Sequence, residues 1–370
     1  MDKKACVSVV ETKRRLYIKK VINLKIGVSK TEHKTSRILA ETLIRKTLKD
    51  INLYPERSLR NIVDLASEVL NGRFQNEFFK ATQTMLKNEH SSYYALVKDI
   101  SANVEHERLI RFGMNVGYNS CTFGAKKIRE IEEKESFNIP WSVSFKTNPE
   151  MLAKNIKKYN SIIKQGEKIG IYTWLIFEDS CSENLLLLAE KNPESAFAFF
   201  VSPSNITSSF TEKAGRLNNT AIILEMNDDT EAATEFLRKQ KMLYSVYLPY
   251  SEDNIDFITS GGFFFRCSNL HSPFSVLVSK ESCSEDTKKL AHDFSEKTRN
   301  SQTFPTVPWE FEHDGRFVDS IISGDSCSAI FDEHGNLIVD YDIHSNFFEE
   351  ELKDIFRKAF LKSMTKGEVQ

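Results

Sequence analysis

Side chains able to bind a metal or attack a substrate are thinly spread through this 370-residue chain. No two of its six cysteines, Cys6, Cys121, Cys181, Cys267, Cys283 and Cys327, fall within five residues of each other. A local metal knuckle needs ligands two to four residues apart, so none is written in the sequence. The default reading is isolated, small buried hydrophobes. Convergence of Cys121, Cys181, Cys267 and Cys327 on a metal in space is the lesser alternative. Among the carboxylates, Glu178, Asp179 and Glu225 could supply an acid-base pair or a hard metal site, with His271 or His344 joining them. Solvated carboxylates at helix starts are the simpler account. No GxSxG elbow, P-loop or GxGxxG turn is present.

The elements that must position these groups follow from periodicity. With 40% hydrophobic and 11% aromatic residues, the chain can bury a large core. The net charge of −2 argues against general attraction to nucleic acid. No apolar run is long enough for a membrane span and no secretory signal follows the N-terminus, so a cytoplasmic protein is expected. Residues 1–34 form a basic arm, with nine Lys or Arg against Asp2 and Glu11 in the first thirty positions and a period-two pattern from Ile22 that suggests a strand. Residues 35–136 read as helical: Leu59, Ile62, Val63, Ala66, Val69 and Leu70 make one apolar stripe, and further helices cover 76–86 and 108–135.

After Pro140 short apolar runs alternate with amphipathic helices. Strands are expected at 141–145, 169–177, 196–201, 220–225, 243–248 and 262–267, parallel and covered by helices. Asn148-Pro149-Glu150 is a helix start, with an Asn cap and Pro at the first helical position. Residues 317–322, 328–332 and 336–341 read as short antiparallel strands, and 349–363 as a closing helix with Leu352, Ile355, Phe356, Ala359 and Phe360 on one face.

The helical preface, Phe137-Asn138-Ile139-Pro140-Trp141 before the first strand, Gln165 to Tyr172 before the second, and the order of the later segments resemble radical S-adenosylmethionine (radical SAM) proteins with a SPASM-like C-terminal extension. The resemblance spans roughly residues 35–365 and implies an α/β fold: a partial (β/α)6 TIM-like barrel at 137–300, with the helical region before it and a hairpin and helix extension at 301–370. In that family the loop after the first strand carries a CxxxCxxC motif, whose thiolates hold a [4Fe-4S] cluster. Here Ser144-Phe145-Lys146 passes directly into Thr147-Asn148-Pro149. Where a Gly-Gly-Glu-Pro stretch would receive the SAM amine, the chain reads Phe177-Glu178-Asp179-Ser180. Phe200 to Ile206 keeps the outline of the third family segment without its glycine, and Ser320 and Asp340 stand where auxiliary-cluster cysteines would be expected.

The expectation is therefore a degenerate relative, a pseudoenzyme with no catalytic residues, no cofactor and no metal. It would act as a binding or scaffold protein for a peptide or protein partner, such as an active radical SAM enzyme in peptide maturation. Ligand-binding candidates are Lys146, Glu178, Asp179, Ser202, Glu225, Asn227, Tyr250 and Arg266, each at or just past the C-terminal end of an expected strand. The alternative is an enzyme that uses carboxylates or a metal in the old cavity.

Overall fold

The computed structural model describes residues 30–51, 55–69, 73–325, 327–338 and 344–362. The expected strand of the basic arm lies outside them. Among the described residues six helices come first: α1 (Lys30–Ile51), α2 (Pro55–Val69), α3 (Arg73–Met85), α4 (Tyr93–Asn103), α5 (His106–Met114) and, after a π-helical stretch at Asn115–Gly124, α6 (Ala125–Glu135). Then come β1 (Ser142–Lys146), α7 (Pro149–Ile169), β2 (Thr173–Phe177), α8 (Glu183–Lys191), β3 (Ala196–Val201), α9 (Ser208–Ala214), β4 (Thr220–Glu225), α10 (Thr230–Lys239) and β5 (Tyr244–Tyr250). After them follow α11 (Ile255–Thr259), α12 (Gly262–Asn269), β6 (Phe274–Ser279), α13 (Glu285–Ser301), β7 (Val307–Glu310), α14 (Phe311–Ile322), β8 (Ala329–Phe331), β9 (Leu337–Ile338) and α15 (Leu352–Ala359).

One sheet runs β7-β6-β5-β4-β3-β2-β1-β8-β9. Among the described residues β1 to β8 pair in parallel, and β9 is antiparallel to β8. Sequential parallel strands with crossover helices on one face make a curled half-barrel, the α/β partial-barrel class that the resemblance implies. Three expectations are corrected. The expected antiparallel strand at 328–332 is β8, which joins β1 in parallel and is antiparallel only to β9, while 339–341 lie outside the described residues. Residues 262–267 form part of α12 rather than a strand, and 317–322 lie in α14. The sheet takes its sixth and seventh strands from 274–279 and 307–310 instead.

Alternation along each strand divides the core into two layers. On the convex face Phe145, Trp174, Ile176, Phe197, Phe199, Ile222 and Leu224 pack with Tyr159, Ile162 and Ile163 of α7 and Leu185 and Leu188 of α8. The Asn148 side chain caps α7 by accepting from Met151 N at 2.9 Å, with Pro149 at the first helical position. That helix ends at Gly170, whose φ of +108° favours glycine, and a Cβ on Gly124 would meet the Gly170 oxygen at 2.2 Å, so these two backbones touch only because both residues lack a side chain.

The helix running from α5 through the π-helical stretch lies along the N-terminal ends of the strands. Arg108 donates to the carbonyls of Leu217 (2.6 Å), Gly215 (3.1 Å) and Ala214 before β4. Asn115 and Asn119 donate to the carbonyls of Pro193, Ser195 and Glu194 before β3. Buried polar side chains thus satisfy loop carbonyls that would otherwise lack partners.

Helix α14 links β7 at one side of the sheet to β8 next to β1, and so crosses the concave side. Near its end, Asp319 accepts from Trp141 N at 2.9 Å and Ser323 donates to the Ile139 carbonyl at 2.6 Å. Beside them Glu132 accepts from Ile139 N at 2.7 Å. Burial raises the pKa of both Asp319 and Glu132, most strongly at Asp319. A carboxyl whose folded pKa exceeds its unfolded value, about 3.9 for Asp, adds stability that is fully present below the unfolded value and is lost as pH rises through the folded one. Asp319→Asn, which keeps an oxygen for Trp141 N, is therefore expected to gain melting temperature at neutral pH relative to the native chain and to show a flatter dependence towards about pH 4. An unchanged pH profile would contradict this.

Among the described residues no helix is long and apolar enough to cross a membrane.

Candidate functional site

The concave face carries Leu175, Phe177, Ala198, Phe200, Ile223, Tyr247, Val276, Val278 and Trp309. At its C-terminal end the rings close on one another. Phe177 and Phe200 stack at 4.1 Å, and Phe311 at the start of α14 meets them edge-on at 5.5 and 5.7 Å. Tyr247 lies edge-on to Phe200 at 5.3 Å and donates through its hydroxyl to Glu225 at 3.2 Å. Burial and the Glu225 charge push the Tyr247 pKa up, so the phenol stays protonated. Phe112 of α5 packs against the same cluster from the opposite end.

Around this aromatic plug the rim is polar. Lys146, at the end of β1, forms an ion pair with Glu281 after β6 at 3.0 Å, a contact that bridges the mouth of the half-barrel. Asp179 is exposed, and its carbonyl accepts from Ser202 N and from Asn205 Nδ2. The Ser202 hydroxyl pairs with that of Ser204 at 3.0 Å. Asn227 is exposed and its Oδ1 accepts from Asp229 N at 2.9 Å, forming the turn into α10. Lys146, Asp179, Ser202, Glu225 and Asn227 therefore share one rim.

The other three candidates sit differently. Glu178 is buried, and its carboxylate accepts from the Ser180 hydroxyl (2.7 Å), Ser182 N (2.9 Å) and the Ser182 hydroxyl (2.6 Å), so it is consumed by the turn into α8. Tyr250 is fully buried on the convex side and donates to Glu310 Oε1 at 3.0 Å. Arg266 is exposed on α12, away from any strand end, so the reason for placing it on the rim does not hold.

An iron-sulfur cluster needs several thiolates on one side of a cavity. Among the described residues the cysteines occupy separate places: Cys121 in the π-helical stretch, Cys181 before α8, Cys267 in α12, Cys283 before α13 and Cys327 before β8, all buried. Burial pushes the thiols of Cys121 and Cys181 up to about 12 and raises those of Cys267, Cys283 and Cys327, which opposes the thiolate form a cluster requires. The chain leaves β1 through Thr147 and enters α7 at once. The five described cysteines thus do not gather into one set of thiolates, and Phe177, Phe200 and Phe311 fill the C-terminal end of the concave face.

The three side chains that do converge on one point among the described residues are His292, Glu310 and His313, whose ligand atoms lie within 4.8 Å of one another. Glu310 ends β7 at the same rim level, and its Oε2 accepts from His313 N (2.7 Å) and meets His313 Nδ1 at 2.9 Å. Burial raises the Glu310 pKa against the lowering effect of these bonds. Sequence reading missed all three residues because β7 was not expected; the Glu310/His313 spacing of three was the available signal. A separate crevice lined by Asp99, Asn103, Arg238, Tyr244 and His271 opens at the N-terminal ends of the strands.

No protein-family model and no curated protein matches the chain. Solved structures of SuiB from Streptococcus suis are similar to it at 10% identity. SuiB bound to the precursor peptide SuiA covers 63% of this chain and 68% of its own, with a TM-score of 0.47. SuiB bound to S-adenosylmethionine covers 64% and 68% with a TM-score of 0.48, and a further SuiB structure 81% and 79%, also with a TM-score of 0.48. The strand order itself defines this chain as an α/β half-barrel whose concave side is filled by its own side chains.

Proposed function

We propose that the chain is a non-catalytic binding or scaffold protein, a pseudoenzyme on a radical SAM-like half-barrel. The observation that supports this reading is the cluster of Phe177, Phe200, Tyr247 and Phe311, whose rings close on one another at the C-terminal end of the concave face. Above it the rim presents a cation at Lys146, an exposed carboxylate at Asp179 and amide and hydroxyl groups at Asn227 and Ser202. An alternation of donors and acceptors of this kind suits an extended peptide, whose backbone offers both. The partner is accordingly a peptide or a peptide-bearing protein, such as the active enzyme of a peptide-maturation system.

Calorimetry with SAM tests the reading. No heat of binding is expected at ligand concentrations well above micromolar, whereas saturable micromolar binding would overturn it. A second reading, a metal-using site at the corner between β7 and α14 on the convex side, is favoured by the convergence of His292, Glu310 and His313.

A further inference from the structure

We propose that His292, Glu310 and His313 bind one divalent transition-metal ion, zinc in the first instance, and leave a coordination position open to solvent. The inference goes beyond the binding reading above and does not depend on it.

Three elements bring the ligands together: α13 carries His292, β7 ends on Glu310 and α14 places His313 in its first turn. The two imidazole rings stack at 4.8 Å with 17° between their planes. Zinc ligands lie about 2.0–2.2 Å from the ion, which puts neighbouring donors about 3.5 Å apart in a tetrahedral site. Binding therefore requires the two rings to turn out of their stacked arrangement, since an ion lies in the plane of each imidazole that holds it.

A second observation points to a ligand. The Nδ1 atom of His292 is buried and has no hydrogen-bond partner. Such an atom is costly to leave unpaired. His313 Nδ1, by contrast, already faces the Glu310 carboxylate. The carboxylate is fully buried and its other oxygen is held by the Tyr250 hydroxyl, an outer-shell contact of the type that orients a metal ligand.

The chemistry of the set selects the ion. Two imidazoles and one carboxylate suit zinc, iron, cobalt or nickel rather than calcium or magnesium, which prefer oxygen donors throughout. Three protein ligands leave room for water or a donor from a bound partner. The His313 side chain is 31% exposed, so solvent reaches one of the three ligands.

The test uses the full chain, stripped with a chelator and titrated with Zn²⁺ and with Co²⁺. One equivalent is expected to bind with a micromolar or tighter dissociation constant, and Co²⁺ is expected to show the strong visible bands of four- or five-coordination. His292→Ala should weaken binding by at least about 100-fold, more than loss of an outer-shell contact would. Because His292 Nδ1 makes no hydrogen bond, the metal-free melting temperature should change little. Tyr250→Phe, which removes an outer-shell contact only, should bind one equivalent roughly 10-fold more weakly. No stoichiometric binding by the native chain, or an affinity in His292→Ala and His313→Ala equal to that of the native chain, overturns the proposal. Either failure leaves the pseudoenzyme reading intact, and SAM binding would defeat that reading without affecting this one.

Discussion

Replacing Phe145 with alanine is expected to cost about 4 kcal/mol of unfolding free energy. The ring is fully buried, stacks on Trp174 at 5.7 Å with 9° between planes, and meets Tyr159 edge-on at 5.2 Å. It also touches Phe331 of β8 at 5.9 Å and Phe347 beyond β9 at 5.4 Å. One side chain therefore ties β1 and β2 to α7 and to the C-terminal hairpin. Truncation removes its transfer free energy and leaves a cavity that neighbours anchored on β2, α7, β8 and the segment beyond β9 cannot collapse into. Urea denaturation at constant m-value measures the loss. Phe265→Ala is the control: its side chain is 60% exposed on α12, and a change within about 0.5 kcal/mol is expected. A comparably small loss for Phe145→Ala would mean that the C-terminal segment does not pack on the barrel.

The second large effect concerns the corner between β7 and α14. Both oxygens of Asp314 pair with the Arg299 guanidinium, each at 2.8 Å, and one of them also accepts from Glu310 N at 2.8 Å. Arg299 donates further to the Pro308 carbonyl at 2.7 Å. The side chains are only 18% and 5% exposed, so Asp314→Ala strands a buried cation, at an expected cost of about 3–5 kcal/mol. Replacing both partners, Asp314→Leu with Arg299→Met, should recover the part of the loss that comes from the unpaired charge but not the part from Glu310 N, and in the double variant the Pro308 carbonyl also loses its donor. If the single variant alone were harmless, the pair would not be what fixes the corner that carries Glu310 and His313.

Much of the half-barrel was legible because a buried parallel strand is a plain apolar run between helix starts. The segments Ala196–Val201 and Thr220–Glu225 match the expectation residue for residue. The same logic failed at Gly262-Phe263-Phe264-Phe265, where a short apolar run has no period to separate strand from helix. β7 is a four-residue strand at one end of the sheet order that contains Pro308, a residue that edge strands tolerate and that weakens any strand signal. In α14 the buried positions are Asp314, Val318, Asp319 and Ile322, so half of its inward face is carboxylate and its helical stripe is hidden from a hydrophobic count.

The candidate site was legible only in part, for related reasons. Lys146, Asp179, Ser202, Glu225 and Asn227 could be placed from strand ends. Arg266 could not, because its strand is a helix, and nothing in the sequence showed that Glu178 bonds its own turn or that Tyr250 points to the convex layer. His292 and Glu310 are 18 positions apart and meet only because α13 folds back along β7.

The central proposal, that this half-barrel carries no iron-sulfur centre, is tested most directly by anaerobic purification and cluster reconstitution followed by iron and acid-labile sulfide analysis. The account predicts no stoichiometric sulfide and no cluster absorption, with at most one equivalent of a metal that is lost in His292→Ala. About four irons and four sulfides per chain, with the visible spectrum of a [4Fe-4S] centre, would contradict it.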